Sequence, residues 1–98
     1  MRWIWDEEKN RINRRDHKVS FQIAQLVFGD ALAVTLRDPH PDEERWRTIG
    51  SPSTHSDVVL FVVHTWPEPD ETGEEVGRII SARKATRQER RVYEEGTF

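Results

Sequence analysis

The chain has 98 residues, 35% apolar and 34% charged, with a net charge of −3, which describes one small domain over residues 1–98 with a compact core. It has no cysteine, so disulfide staples, cysteine-ligated zinc and thiol nucleophiles are excluded. No apolar run approaches the ~20 residues that span a bilayer, and no signal-like apolar segment follows the opening Met1-Arg2-Trp3-Ile4-Trp5-Asp6, so cytoplasmic residence is the expectation.

Trp3-Ile4-Trp5 reads as a short edge strand. Asp6 is placed to cap a helix over residues 7–15, with Glu7 and Glu8 near its positive end and Ile12 as its apolar anchor. Ser20 caps a second helix, along which Phe21, Ala24, Val27 and Phe28 form one apolar stripe that Gly29 ends. The period then changes. Strands are predicted over 31–36 and 45–49, separated by the turn-rich Asp38-Pro39-His40-Pro41-Asp42, and over 58–63 and 76–82. The run 58–63 is apolar on both faces and therefore central, and Pro67 and Pro69 stop it. Thr86 and Glu89 complete a capping box, which starts a last helix over 87–95. The short turns favour an antiparallel meander. The expected class is α+β: a four-stranded antiparallel sheet, two N-terminal helices on one face and a C-terminal helix near an edge.

Charge is unevenly spread. Between residues 78 and 91 there are six Lys or Arg and one acid, whereas residues 66–75 hold five acids and no base. A local cationic segment in an acidic chain points to a polyanionic ligand, which responds to its own patch more than to the total. Simple alternation along a strand puts Arg78, Ile80 and Ala82 on one face and Ile79, Ser81 and Arg83 on the other. Lys84 stands at the strand end, and Arg87 and Arg91 share a helical face, where they either bind anions or pair with Glu89, Glu94 and Glu95. Arg45 and Arg47 share a strand face with Trp46 opposite, a pattern suited to phosphate binding and equally ordinary on a polar surface. His64, at the end of the central strand, reads either as a core histidine or as a proton-transfer group, and His17 either orients its turn or serves the same chemistry. No histidine spacing suggests a metal site, no Gly-rich phosphate loop is present, and no cofactor is expected.

In its Trp5-Asp6, Asn13, His17, Val19-Ser20-Phe21, Val27-Phe28, Glu44-Arg45 and Ile49-Gly50 the chain resembles the BrnT (DUF497) family of type II toxins, and above all in Arg78-Ile79-Ile80-Ser81-Ala82-Arg83-Lys84-Ala85 with Glu89-Arg90 and Tyr93. The resemblance implies a toxin-like domain related to RelE-type ribonucleases, RNA cleavage that stops translation, and neutralisation by a BrnA-like ribbon-helix-helix antitoxin. Operator DNA would be met only through that complex. Arg45, Arg78 and Arg83 are then the candidates for stabilising phosphorane charge, and His64 and His17 for proton transfer, with Tyr93 and Lys84 in reserve. Arg47, Lys84, Arg87, Arg91, His17 and Tyr93 are the candidate RNA contacts. Two features depart from the family pattern: Asp16 precedes His17 where a cation is usual, and Thr65-Trp66-Pro67 with the long acidic loop replaces a short turn bearing an Arg. That loop suits a basic partner or a restriction on substrate entry. The alternative from another class is a non-catalytic or degenerate toxin-like protein that binds an antitoxin or nucleic acid.

Overall fold

A computed structural model describes residues 1–96 of the chain. The apolar run of the sequence becomes β4 (Leu60–His64), buried at every position and flanked by β3 (Arg45–Gly50) and β6 (Glu75–Lys84). β2 (Val34–Asp38) pairs with the far side of β3, and β1 (Arg2–Ile4) with the far side of β6. A two-residue β5 (Glu68–Pro69) also pairs with β6. The sheet is therefore mixed and six-stranded, not the expected four-stranded antiparallel meander, because β1 runs parallel to β6.

Two local causes account for the added strands. Trp3 lies opposite Gly77 in the register, and a Cβ at position 77 would overlap the Trp3 ring. The missing side chain is what lets β1 dock. The acidic segment is a hairpin, in which Asp70 accepts from Thr72 N and Glu74 N (2.8 and 3.1 Å) and Gly73 takes φ 85°. Pro69 sits in an edge strand, where its missing N–H costs no ladder bond. Arg2 holds this hairpin through Glu74 (2.8 Å) and Asp70 (3.5 Å).

The first helix, α1 (Glu7–His17), is capped by Asp6 and ends at Lys18 in the left-handed region, φ 61°. Its buried residues are Asn10 and Asn13, with Ile12 only half-buried. Asn13 donates to the carbonyls of Ala82 (2.7 Å) and Val19 (2.9 Å) and accepts from Ala82 N (3.2 Å). Asn10 accepts from Phe21 N at 2.8 Å. A mostly polar helix is thus fixed to β6 by hydrogen bonds from buried amides. The second helix is shorter than its stripe suggests: α2 (Phe21–Ala24) tightens at once into a 3₁₀ turn (Gln25–Gly29). β2 begins later than expected because Asp30 organises a turn, accepting from Leu32 N at 2.9 Å and, through its carbonyl, from Ala33 N at 3.1 Å. The last helix, α3 (Arg87–Glu95), has the expected bounds and a complete capping box, and Gly96 ends it at φ 74°.

Two apolar clusters lie on opposite faces of the sheet. Phe21, Ala24, Val27, Leu60, Val62 and Ile79 pack with Trp3, Trp5 and Phe28 on the α1/α2 side. Ile49, Val59, Phe61 and Val63 pack with Ile80, Val92 and Tyr93 on the other. α3 therefore packs on the second face, not near an edge.

One irregularity positions the site. Val63 pairs with Ser81, but the next residue, His64, pairs with Ile79, so β6 carries an extra residue at this point. Above the bulge Arg83 packs on Phe61, and below it Ile80 joins the Phe61 cluster while Gly77 and Ile79 face Trp3 and the α1/α2 core. Arg78 alternates with Gly77 and Ile79. The bulge thus brings Arg78 to the face of Arg83, which unbroken alternation would forbid.

Candidate functional site

Cross-strand pairing places β3 on this same face. Arg47 is registered with Val63 and Ile49 with Phe61, so Arg45, Arg47 and Ile49 share a side, while Trp46 and Thr48 point toward the α1/α2 layer. Four guanidinium groups, from Arg45, Arg47, Arg78 and Arg83, therefore stand on one face of the sheet.

They fall into two pairs. Arg45 Nε and Arg78 Nη2 both donate to Glu43 Oε1, at 3.1 and 3.2 Å. The Arg45 hydrogen bond, with the charges of Arg45 and Arg78, holds the Glu43 carboxyl below the usual carboxylate range. The guanidinium carbons of Arg83 and Arg47 lie 4.2 and 5.9 Å from the Phe61 ring centroid. Arg83 also grips Glu89 with both terminal nitrogens, at 2.7 and 2.9 Å, which raises its pKa further. Burial acts to raise the Glu89 carboxyl, but the Arg83 bonds and the Thr86 N–H outweigh it and keep the group ionised. Arg47 differs: its Nε is buried without a hydrogen-bond partner among the described residues. A buried donor left unpaired is costly.

His64 is not part of this face. It is 2% exposed and points into the α1/α2 core, where Trp3 and Phe28 meet its ring edge-on at 5.2 and 4.8 Å. The Thr65 carbonyl, 2.8 Å from Nδ1, can only accept, so Nδ1 carries the proton and Nε2 accepts from Thr48 Oγ1 at 2.7 Å. Thr48 in turn meets Thr35 at 2.8 Å. Burial lowers the His64 pKa, partly offset by the Thr65 carbonyl, and holds the ring neutral. Of its two sequence readings, the geometry matches the core histidine, because the side chain shares the inward face of Leu60 and Val62.

The remaining candidates are dispersed. His17 lies exposed at the end of α1, in the layer behind the sheet. Lys84 is exposed and alternates away from Arg83. Arg87 and Arg91 are exposed on α3, away from Val92 and Tyr93, and their neighbour Arg90 pairs with Glu94 at 3.6 Å. Tyr93 O–H donates to Asp30 Oδ2 at 2.7 Å, and burial together with that contact raises its pKa. It lines a separate groove of about 700 Å³ with Leu26, Leu32, Ser51 and Val59, which none of the four arginines borders. Among the described residues no cluster of three or more His, Asp or Glu is gathered as a metal site requires.

Sequence reasoning missed Phe61 as a platform and Glu43 as a partner. Glu43 stood in the sequence as part of an acidic patch, and its one signal was its place two residues before Arg45 in the β2–β3 connection.

A sequence model of the family described as "ribonuclease toxin, BrnT, of type II toxin-antitoxin system" matches residues 5–89. Among solved structures the chain is similar to the Brucella abortus ribonuclease toxin BrnT, at 24% identity and a TM-score of 0.58, over 89% of this chain and 99% of that one. At this identity the likeness speaks for the fold. No curated protein matches the chain.

Proposed function

The chain belongs to the BrnT family of ribonuclease toxins of type II toxin–antitoxin systems, and on that premise we propose that its arginine face binds RNA and cleaves it without a metal. The observation that carries this reading is the gathering of Arg45, Arg47, Arg78 and Arg83 on one sheet face. The ribose 2′-oxygen attacks the adjacent phosphorus, a new P–O bond forms, and the bond to the 5′-oxygen breaks. The proton lost by the 2′-hydroxyl is balanced by the one the departing 5′-oxygen gains. Charge grows on the phosphorane oxygens, where guanidinium groups in a water-poor site are worth several kcal/mol. Arg45 and Arg78 are our candidates for that position, with Arg83 beside them. Arg47, whose guanidinium lies over the Phe61 ring beside Arg83, is the candidate for an adjoining phosphate.

RNA cleavage would arrest translation in the cytoplasm, and the partner that restrains it is an antitoxin of the BrnA-like ribbon-helix-helix kind, through which alone operator DNA is met. No helix among the described residues is long and apolar enough to cross a membrane. The absence of an imidazole from the arginine face favours one rival, a binder that grips RNA or antitoxin without cutting. Incubating purified protein with end-labelled RNA in excess EDTA separates the two. Products ending in a 2′,3′-cyclic phosphate or 3′-phosphate are expected; intact RNA would leave the binder.

A further inference from the structure

We infer that the point between Arg45 and Arg78 is a phosphoryl-oxygen subsite which the protein's own Glu43 carboxylate occupies until RNA displaces it. The inference builds on the proposed RNA-binding face and adds where a phosphate sits and what guards it.

The geometry is that of an anion already bound. A single carboxylate oxygen receives hydrogen bonds from two guanidinium groups that reach it from different strands, β3 and β6, at 3.1 and 3.2 Å. A non-bridging phosphate oxygen takes the same donors at the same distances, and Arg is well matched to either acceptor. Arg45 is only partly exposed, at 26% of its side chain, so its charge is already partly desolvated and gains from an anion.

Glu43 is held loosely by comparison. It comes from the 39–44 connection between β2 and β3, where Asp42 N reaches His40 Nδ1 only in a long contact of 3.3 Å. Glu43 is thus the movable partner, while both cations are fixed by the sheet. Glu89, the other carboxylate on this face, is a different case. It is tied at once to Arg83, to Thr86 N and into the α3 capping box, so its removal would loosen the helix. A carboxylate and a phosphodiester cannot share two donors without repulsion, so RNA entry must swing Glu43 outward.

Glu43 therefore acts as an internal competitor that lowers affinity for stray anions and admits a polyanion able to make further contacts at Arg47 and Arg83. The test is equilibrium binding of a short, uncleavable 2′-O-methyl oligoribonucleotide to the full chain, with Glu43→Gln, Arg78→Ala and the double variant. Glu43→Gln keeps the shape of a partly exposed loop side chain and removes its charge. It should bind about three- to tenfold more tightly than wild type at low salt, the scale of losing two partly exposed ion pairs. The gain should vanish when Arg78 is absent, since the cycle isolates their coupling. Unchanged or weaker binding by Glu43→Gln overturns the inference, as does a gain that survives Arg78→Ala. Because the readout is binding to an uncleavable probe, intact RNA in the cleavage assay would sink the ribonuclease reading and leave the subsite standing.

Discussion

His64 has both ring nitrogens engaged and its ring flanked by Trp3 and Phe28, so folding takes a group that titrates near 6.5 in the open chain and keeps it neutral. Its folded pKa is lowered, so below about pH 6.5 the unfolded chain binds a proton that the native state refuses, and stability falls as pH falls. The carboxylates with lowered values, such as Glu43 and Glu89, titrate below this window and do not contribute to it. Urea unfolding at pH 7.5 and 5.5 should show the wild type less stable at the lower pH, and His64→Gln should show a smaller difference. An identical pH response in the variant would mean that His64 is not the buried titrating group. At the same scale, Arg83 serves two ends. It packs on Phe61 within the proposed site and also clamps Glu89 at the head of α3, so its loss would disturb both the anion face and the helix.

The elements divide by what kind of information sets them. α3 was legible to the residue because its capping box and terminal glycine are local, and the centre of the sheet was legible because β4 has no polar face to misread. The parallel pairing of β1 with β6 joins residues more than seventy positions apart, and the bulge in β6 is defined only against β4. Neither leaves a local pattern. The same bulge explains why simple alternation along β6 divides Arg78 and Arg83 between faces, whereas His64 follows the unbroken alternation of β4 and lies where Leu60 and Val62 lie. Gly77 did leave a trace, as a residue without a side chain inside a strand, and its meaning is the Trp3 ring stacked above it. Gly77→Ala should push Trp3 off β6 and cost about 1–3 kcal/mol, the range for overpacking a filled site. For a domain of this size each kcal/mol lowers the melting midpoint by about 4–8 °C. Thermal unfolding followed by tryptophan fluorescence would report both effects, and an unchanged midpoint would show that β1 contributes nothing to the fold.

For the whole molecule, a net charge of −3 taken alone argues against an RNA ligand. The fold answers that objection by how it places and pairs its acids. Asp70 and Glu74 are held by Arg2 in the β5–β6 hairpin, and Glu43 and Glu89 sit directly on site arginines. What a phosphate backbone meets is a sheet face with four guanidinium groups and the two carboxylates paired to them, and charges farther off than a Debye length of roughly 8 Å are largely screened. Four cations also limit how salt-sensitive the binding can be. Each phosphate neutralised on a single strand contributes a slope of about −0.7 in a plot of log affinity against log salt, so full engagement of the face gives about −3. Titrating the uncleavable oligonucleotide between low and physiological salt should therefore return a slope between about −1.5 and −3, and Arg47→Gln should flatten it by about 0.7. A slope near zero would mean that phosphates are not bound here. One much steeper than −3 would place the contact on the scattered surface cations, Arg87, Arg91 and Lys84 among them, and not on the face the bulge assembles.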